Sequence, residues 1–383
     1  MLPTMHLDRI DILRAFAIIL VFLYHAQIIL FPTYKIDSFD PQGILEFAST
    51  RDALLNLSPV AFGWSGVQLF LIISGFLIHL GYLRGVDKGR IFSGREFFSK
   101  RFWRIYPPYV LALLFFCFAI QGGRYLTRPD RIADLASHLF LVHNLSDTTF
   151  FTINPAFWSI ALEAQLYVIF PILLLLRKKL GIARVLIGTV LLAILLGLIK
   201  PFASPSIGDN AYGTSVFAFW YIWCAGAFLA ERFHTGKTIF GQRRTALLIS
   251  MMSFTLMTFS ICTKATAPFT VPLSVLAWIS FFEWFLYFPL NERHTRSIPF
   301  RAGVVIGLCS YSIYLFHQPY LRSIMRFFGD YGFFPAAVMI KLAVSFAIIV
   351  LLSYSLYVFV ELPSIAIGAK RRAARKNRAI AEA

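Results

Sequence analysis

Charged side chains are scarce in this sequence. Asp, Glu, Lys and Arg together make up 14% of it, whereas about 25% is usual in soluble proteins. Acids are the scarcer sign, with 19 against 36 Lys and Arg, and 58% of the 383 residues are hydrophobic. This balance excludes an ordinary soluble globular protein and predicts an all-α polytopic membrane protein.

Several motifs that mark metal-dependent and nucleotide-binding enzymes are absent. The sequence has no HExxH motif, no Walker-type phosphate loop, no GxSxG turn and no acidic pair of the DxD kind. Its four cysteines lie in or beside apolar runs, without the spacing of metal ligands, at Cys117, Cys224, Cys262 and Cys309. We therefore expect no metal site and no disulfide framework, and we interpret the cysteines as reduced packing residues.

Long apolar runs are what the sequence has in abundance. Hydropathy and helix-breaking residues indicate a bundle of about ten transmembrane helices, over 12–31, 61–83, 105–121, 153–176, 182–199, 214–230, 245–261, 271–290, 302–320 and 335–360. Ten spans place both termini on one side, where the loops and tails carry 25 Lys and Arg against 9 on the other side. The positive-inside rule then predicts that both termini are cytoplasmic. Topology thereby explains the net charge of +17, and no nucleic-acid partner is indicated.

The first span carries two ionisable side chains, Arg14 and His25, in an otherwise uncharged run. Their separation turns an α-helix through about 1100° and raises it by about 16 Å, so they share a face at different depths. Ionisable groups within a membrane usually face the bundle interior or a wet cavity, which makes both residues functional candidates. The alternative is that Arg14 snorkels to lipid headgroups and that His25 makes an interhelical hydrogen bond.

Two further motifs lie on the side predicted to be cytoplasmic. In the second span, Ser74 and Gly75 are small enough to give a ligand close access to the backbone, although small residues also serve helix packing. At the start of the third span, Arg101 and Arg104 are one helical turn apart and are suited to bind phosphates. The alternative for these arginines is anchoring of the loop at the membrane surface.

Polar residues recur in two later spans. Glu163 follows Trp158 within an apolar helix, where a carboxylate has to be paired or protonated. It either joins an ion pair, for example with Arg14, or orients an imidazole or binds an acceptor. In the ninth span, Tyr314 and His317 share a helix face near the external end, as a polar core cluster or as part of a site.

Five motifs, in this order, resemble acyltransferase family 3, the integral membrane O-acyltransferases of bacterial surface polysaccharides. They are LDRIDILRAFAIILVFLYH, GVQLFLIISGFL, RFWRIYPPY, FWSIALEAQLYVIFP and YSIYLFHQP. The motif residues of the family fall on Asp11, Arg14, His25, Arg101, Arg104, Trp158, Ser159 and Glu163. A second acid often follows that glutamate in the family, whereas this chain has Ala164 and Gln165 there.

The resemblance implies transfer of an acyl group, usually acetyl, from cytoplasmic acetyl-coenzyme A to a sugar hydroxyl. The acceptor would be a cell-surface polysaccharide, such as exopolysaccharide or lipopolysaccharide, or a lipid-linked oligosaccharide. The protein would be a multi-pass protein in the lipid bilayer of the bacterial inner membrane. A transmembrane acyltransferase domain over 1–365 would be followed by a basic cytoplasmic tail over 366–383 that contacts anionic lipids.

The resemblance also suggests roles for the candidate residues. His25 is expected to act as general base on the sugar hydroxyl, or alternatively to carry the acyl group as a covalent relay. Glu163 would orient His25 or hold the acceptor. The residues expected to bind the donor are Arg14, which Asp11 would hold in place, and Arg101, Arg104, Ser74 and Gly75. The residues expected to bind the acceptor are Trp158, Tyr314 and His317.

Other hypotheses remain open at this point. A Ser74 nucleophile paired with His25 is a variant of the same chemistry. A flippase or transporter of glycolipid or polysaccharide is a different class of function, in which buried charges line a path. No inverted repeat and no matched pair of interrupted helices in the sequence supports it. A structural assembly subunit is a third class, but it has little reason to keep an arginine at such depth. The sequence does not indicate the oligomeric state.

Overall fold

The computed structural model describes residues 3–30, 59–120, 122, 126–260, 265–327 and 335–381, and within these ranges it is helical, without strands. The long helices are α1 (Pro3–Leu30), α2 (Gly66–Asp87), α3 (Gly94–Leu114), α4 (Pro129–Leu139), α5 (Trp158–Leu180), α6 (Ile182–Ile207), α7 (Val216–His234), α8 (Arg243–Ser260), α9 (Thr270–Leu286), α10 (Ile298–Leu308), α11 (Ser310–Phe327), α12 (Pro335–Leu356) and α13 (Leu362–Ala381). The shorter α-helices are Asp147–Phe150, Asp209–Gly213 and Glu292–Arg296. The 3₁₀ turns are Pro59–Ser65, His143–Leu145 and Ala267–Phe269, and π-helical segments follow α3 at Phe115–Ile120 and α12 at Tyr357–Glu361.

Eight helical stretches of the described chain are long and apolar enough to cross a membrane, and the bent pair α10 and α11 makes a ninth. This confirms an all-helical, multi-pass membrane protein. The span predicted over 245–261 coincides with α8, which is not among these stretches because its 18 residues begin with Arg243 and Arg244 and include several Ser and Thr. The count of ten and the side of each terminus therefore stay predictions.

The span predicted over 302–320 is not one straight helix. The chain bends by 80° between α10 and α11, at Cys309. Hydropathy misses this bend because both halves are apolar enough to belong to a single span. The bend places Ser310 and Tyr311, at the start of α11, inside the bundle, where the Tyr311 hydroxyl donates to the carbonyl oxygen of Ile105 at 2.8 Å.

Helix α1 packs against the turn Pro59–Ser65 and against α2, α10 and α11. A second tight contact joins α2 to α7. A Cβ atom at Gly75 would meet the backbone carbonyl of Trp223, and one at Gly226 would meet the carbonyl of Ile72. The absence of side chains at these glycines lets the two backbones approach closely, as small residues commonly do between membrane helices.

The outer helices face the lipid. Only 17% of the residues in the most apolar stretches of α6 and α12 are buried, and the exposed residues include Leu191, Leu198 and Leu351. Cys117, Cys224 and Cys309 are free and buried, as packing residues should be. Cys262 lies outside the described residues.

Buried polar groups outside the central helices hold loops and helix ends together. His79 contacts a carboxylate oxygen of Glu231 at 3.0 Å, and Arg177 donates to the same oxygen. Glu283 accepts hydrogen bonds from the backbone N–H groups of Ile239 at 2.6 Å and Phe240 at 2.9 Å. We assign these residues to structure because each binds protein groups through its side chain and none of them lines either cavity of the bundle.

Candidate active site

The first cavity, which we call the arginine cavity, has a volume of about 820 Å³. It lies between α1, α2, α3, α5 and α11. Its polar lining consists of Arg14, Ser74, Arg101, Arg104, Ser159, Glu163, Tyr167, Ser310, Tyr311 and Tyr314. The rest of the lining is aliphatic or aromatic, including Leu71, Leu77 and Ile105. Three guanidinium groups face one lining carboxylate, so this cavity favours an anionic ligand with an apolar part.

The three arginines have different environments. Arg14 Nη1 donates to a carboxylate oxygen of Asp11 at 2.8 Å, which is the contact predicted from the sequence. Arg104 is close enough to Asp11 for its charge to act on that carboxyl group. The guanidinium carbon of Arg101 lies 5.7 Å from the ring centres of Phe97 and Tyr167. These contacts fix the side chains while leaving guanidinium hydrogens available to the cavity.

A chain of hydrogen bonds at the arginine cavity joins Glu163, Tyr167, Ser74 and Trp223. The Tyr167 hydroxyl donates to a carboxylate oxygen of Glu163 at 2.5 Å and lies 3.4 Å from the Ser74 hydroxyl. The indole N–H of Trp223 donates to Ser74 at 3.3 Å. Glu163 is therefore held by a tyrosine, and the proposed ion pair between Glu163 and Arg14 is not among the ion pairs of the described residues.

The second cavity, which we call the histidine cavity, has a volume of about 1090 Å³. It is lined by His25 together with other residues of α1 and by parts of α2, α5, α7 and α11. Five aromatic side chains besides His25 and Tyr314 contribute, namely Tyr24, Trp64, Phe151, Trp158 and Phe219. Its polar lining also includes Gln68, Gln318 and Arg322. Flat aromatic surfaces beside amide and guanidinium groups suit a ligand that has both apolar faces and polar edges.

The contacts of His25 determine which of its nitrogens carries the proton. Its Nδ1 lies 2.8 Å from the carbonyl oxygen of Val21, which can only accept, so Nδ1 is the donor. By the same argument His317 donates from Nδ1 to the carbonyl oxygen of Tyr314 at 2.8 Å. The unprotonated Nε2 of His317 then lies 3.2 Å from Nδ1 of His25 and serves as a second acceptor. The lone pair of His25 Nε2 takes no part in these bonds, as a general base requires.

One wall separates the two cavities. Val67 and Tyr314 line both of them. The Tyr314 hydroxyl contacts the Ser159 hydroxyl at 2.5 Å, which joins α11 to α5 at this wall. The ring centre of Tyr314 is 5.4 Å from that of His317, whose ring centre is 4.9 Å from that of His25. A group that reached this wall from the arginine cavity would therefore be close to His25.

The structure places several predicted residues away from the partners proposed for them. Glu163 lines the arginine cavity and contacts Tyr167. Among the described residues, no contact of Glu163 supports the two roles predicted for it, which are to orient His25 and to hold the acceptor. Ser74 and His25 line different cavities, which removes the basis for a Ser74 nucleophile. Gly75 packs against Trp223 and does not line the arginine cavity, because its open side is filled by α7. His317 is fully buried behind His25 and lines neither cavity, so it supports His25 instead of contacting an acceptor.

Other predicted residues lie where the sequence suggested. Arg14, Arg101, Arg104 and Ser74 come together in the arginine cavity, although they belong to three different helices. Trp158 and Tyr314 line the histidine cavity with His25. The shared face of Arg14 and His25 on α1 thus opens into two cavities at different depths.

Three residues that support the site were not predicted from the sequence, and two of them, Asn154 and Glu361, are buried. Glu361 is 3% exposed, accepts from the Ser312 hydroxyl at 3.1 Å, and lies within the field of Arg14 and Arg104. Glu361 could have been found from the sequence as a lone acid beside an apolar helix, but the span predicted over 335–360 ends one residue before it. Asn154 donates to the carbonyl oxygen of Leu315 at 2.8 Å and so fixes the start of α5 against α11.

Gln165 is the third missed residue, at a position where an acid often stands in the family. Its side-chain N–H groups donate to Asn144 Oδ1 at 2.7 Å and to the carbonyl oxygen of Leu141 at 3.1 Å. A carboxylate has no hydrogen to donate to these oxygens. The amide therefore ties the segment before α5 to α5 itself.

The family model described as an acyltransferase domain matches residues 7–358. The chain is 25% identical over 335 residues to the peptidoglycan O-acetyltransferase OatA of Listeria monocytogenes serovar 1/2a, which covers 82% of this chain and 49% of that protein. It is 24% identical over 380 residues to the O-acetyltransferase OatA of Staphylococcus aureus strain NCTC 8325, covering 94% of this chain and 57% of that protein.

The chain thus spans about half the length of the curated relatives it matches. No solved structure matches it. Because the family model extends over residues 7–358, almost the whole chain, this protein belongs to acyltransferase family 3.

Proposed function

We propose that this protein transfers an acyl group, most simply acetyl, from acyl-coenzyme A to a hydroxyl group of a glycan. The observation that carries the proposal is the pair of cavities, one rich in arginine and one containing His25, with Val67 and Tyr314 as a common wall. Donor and acceptor would bind on opposite sides of this wall. The acyl group alone would have to pass it.

The arginine cavity is suited to acetyl-coenzyme A as donor. Its phosphates would bind the guanidinium groups of Arg14, Arg101 and Arg104, while the apolar lining would hold the pantetheine arm. Within the described chain, the buried Nε of Arg101 has no hydrogen-bond partner, and an N–H group in that position gains from an anionic acceptor. The N-terminus of α11 at Ser310 also opens into this cavity and favours negative charge.

The unprotonated Nε2 of His25 determines how the transfer would proceed. Its Nε2 takes the proton of the acceptor hydroxyl while that oxygen forms a bond to the thioester carbon. The carbonyl oxygen becomes an oxyanion, for which the Tyr314 hydroxyl on the common wall is the nearest candidate donor. The C–S bond then breaks, and the coenzyme A sulfur takes the proton from His25 Nε2.

A covalent relay is the alternative route. In it, Nε2 of His25 attacks the thioester carbon and coenzyme A leaves as the thiolate, which gives an acylimidazolium that keeps its Nδ1 proton. The oxygen of the acceptor hydroxyl then bonds to the acyl carbon, the C–N bond breaks, and Nε2 takes the hydroxyl proton, which is released to solvent. This route would let donor and acceptor bind in turn. It uses the same two cavities, so the structure supports both routes equally.

The orientation proposed from the charges puts the arginine cavity towards the cytoplasm, where acyl-coenzyme A is made, and the histidine cavity towards the outside. The acceptor would then be a surface polysaccharide, peptidoglycan or a lipid-linked oligosaccharide of a bacterial inner membrane. The names of the relatives as O-acetyltransferases support the acetyl group and an oxygen acceptor.

The test is transfer of label from radioactive acetyl-coenzyme A in inverted membrane vesicles from the host cell. Wild-type protein should label a glycan fraction, and His25→Ala at matched expression should reduce the labelling by about 10²-fold or more. Arg14→Ala should raise the KM for the donor. If wild-type vesicles label no glycan while a lipid-linked sugar changes sides, the protein is a flippase and the proposal is wrong.

A further inference from the structure

A stripe of polar side chains on α11 enters the histidine cavity. Tyr314, Gln318 and Arg322 are spaced by four residues, and all three line this cavity. Residues at this spacing lie one above another on a helix face and rise about 6 Å per step. The stripe therefore leads from the wall beside His25 to a guanidinium group about 12 Å away along the helix.

Arg322 gives the histidine cavity a positive charge. No Asp or Glu occurs among the described residues that line this cavity. In the described ranges, no ion pair joins Arg322 to a carboxylate either. A neutral sugar chain gains little from an unbalanced guanidinium group, whereas an anionic group gains a charge-assisted and often bidentate hydrogen bond.

Gln318 lies between Arg322 and the wall. Its Oε1 atom is buried and has no hydrogen-bond partner within the described part of the chain. A buried acceptor without a partner is unfavourable. A hydroxyl or amide N–H of a ligand in the histidine cavity would satisfy it, at a position between the reacting hydroxyl and the anionic group.

We infer that the histidine cavity takes an acidic glycan, whose negative charge is carried by a sugar next to the acylated one. This inference rests on the proposed function and adds the class of acceptor to it. Arg322 binds the anionic group, Gln318 binds a polar edge of the intervening sugar, and His25 meets the hydroxyl. The anion is either a sugar carboxylate or a phosphate, such as that of a lipid carrier.

A purely membrane-anchoring role is the competing explanation for Arg322. An arginine near a helix end often snorkels to lipid phosphate. Arg326 tests this explanation, because it lies one turn further along α11 and is exposed, as Arg322 is, but does not line the histidine cavity. If anchoring of α11 to lipid were the role, loss of either arginine would have a similar effect.

The experiment uses the full-length protein in inverted vesicles of its host with radiolabelled acetyl-coenzyme A. The labelled glycan is separated by anion exchange before and after two treatments, carbodiimide activation with borohydride reduction for carboxylates and mild acid hydrolysis for phosphate linkages. We expect the label in an acidic glycan, and the treatment that makes it neutral identifies the anion. The same glycan, freed of acyl groups by mild alkali, then serves as acceptor for enzyme in nanodiscs.

With this acceptor, Arg322→Gln should raise the acceptor KM by about tenfold or more, with an unchanged donor KM. Arg322→Lys should keep part of the affinity, and Arg326→Gln should behave as wild type. Label in a neutral glycan, or equal effects of Arg322→Gln and Arg326→Gln, would overturn the inference while leaving acyl transfer established. Absence of label from every glycan fraction would refute the proposed function and the inference with it.

Discussion

At the residue scale, the paired imidazoles define the chemistry of the site. His25 and His317 come from α1 and α11, and each has its Nδ1 proton fixed by a backbone carbonyl oxygen. When His25 accepts a proton at Nε2, the charge spreads to its Nδ1–H, which faces both the Val21 carbonyl and the His317 Nε2. His317 is therefore a positioning residue that also stabilises the imidazolium.

We predict that His317→Leu lowers kcat by a few-fold to about tenfold, the equivalent of one hydrogen bond of about 0.5–1.5 kcal/mol. The donor KM should stay unchanged because His317 lines neither cavity. His317→Gln, whose amide oxygen can accept from His25, should restore part of kcat. The measurement is acyl transfer by purified protein over a range of donor concentrations. A change in donor KM without a change in kcat would contradict this role.

Histidines outside the membrane spans are not available for this chemistry. His138, in the last turn of α4, and His143, in the segment that connects α4 to α5, stack with their ring centres 3.8 Å apart. Burial and the neighbouring His138 hold the pKa of His143 far below its ordinary value. His143 therefore stays neutral at physiological pH and serves packing, in agreement with its position away from both cavities.

At the scale of elements, the crossing of α2 and α7 positions the floor of the arginine cavity. Gly75 and Gly226 allow the contact, and the neighbouring residues Ser74 and Trp223 make the hydrogen bond that joins the two helices. Ser74 in turn contacts Tyr167 on α5. The close approach of two backbones thus fixes the polar groups of a third helix.

Gly75→Ala should destabilise this crossing by about 1–3 kcal/mol, because its Cβ would overlap the Trp223 backbone. Gly81→Ala is the matched control on the same helix, since no atom lies within 4 Å of a Cβ placed there. It should be neutral or stabilising by up to about 1 kcal/mol. Thermal unfolding in detergent measures both variants. Equal stability of the two variants would show that the α2–α7 contact adapts to an added Cβ without loss of stability.

The bend between α10 and α11 is the second decisive element. It starts α11 inside the bundle, so that residues of one helix serve both cavities, with Ser310 and Tyr311 in the arginine cavity and Gln318 and Arg322 in the histidine cavity. Tyr314 lies between these pairs and faces both. A straight span of the same sequence would present a different set of side chains.

At the scale of the whole molecule, the direction of transfer depends on the orientation in the membrane. The Lys and Arg counts of 25 and 9 on the two sides predict cytoplasmic termini. In the proposed orientation, the two cavities would open towards opposite sides of the bilayer. This arrangement would let a donor made inside modify an acceptor outside without moving the glycan across.

Single cysteines in a background without the four native ones test this orientation. We predict that Lys88→Cys and Lys237→Cys react with an impermeant maleimide only after the membrane is opened. Thr148→Cys and Ala265→Cys should react in intact cells, and all four positions are exposed in the structure. Labelling of Ala265→Cys from the same side as Lys237→Cys would mean that α8 does not cross the membrane and that the count of ten is wrong.

The sequence by itself determined the class of fold and much of the residue set. An uninterrupted apolar run of about 20 residues crosses lipid as a helix that satisfies its own backbone hydrogen bonds, whereas the strands of a membrane barrel alternate apolar and polar residues, so the all-helical bundle followed from composition and pattern. Isolated charges in such runs are unfavourable unless they have a use, and this singled out Arg14, His25 and Glu163. The order of the five motifs was enough to indicate the resemblance to acyltransferase family 3.

The tertiary structure alone decided which of these residues meet. Local spacing relates residues on one helix, as it did for Arg14 and His25, but it carries no information about the partner helices. Glu163 contacts Tyr167 instead of His25, and the imidazole that supports His25 comes from a helix almost three hundred residues later. The division into two cavities depends on the bend before α11 and on Tyr314 at the wall between them. These features arise from helix packing, in which each side chain is placed by contacts that are distant in sequence.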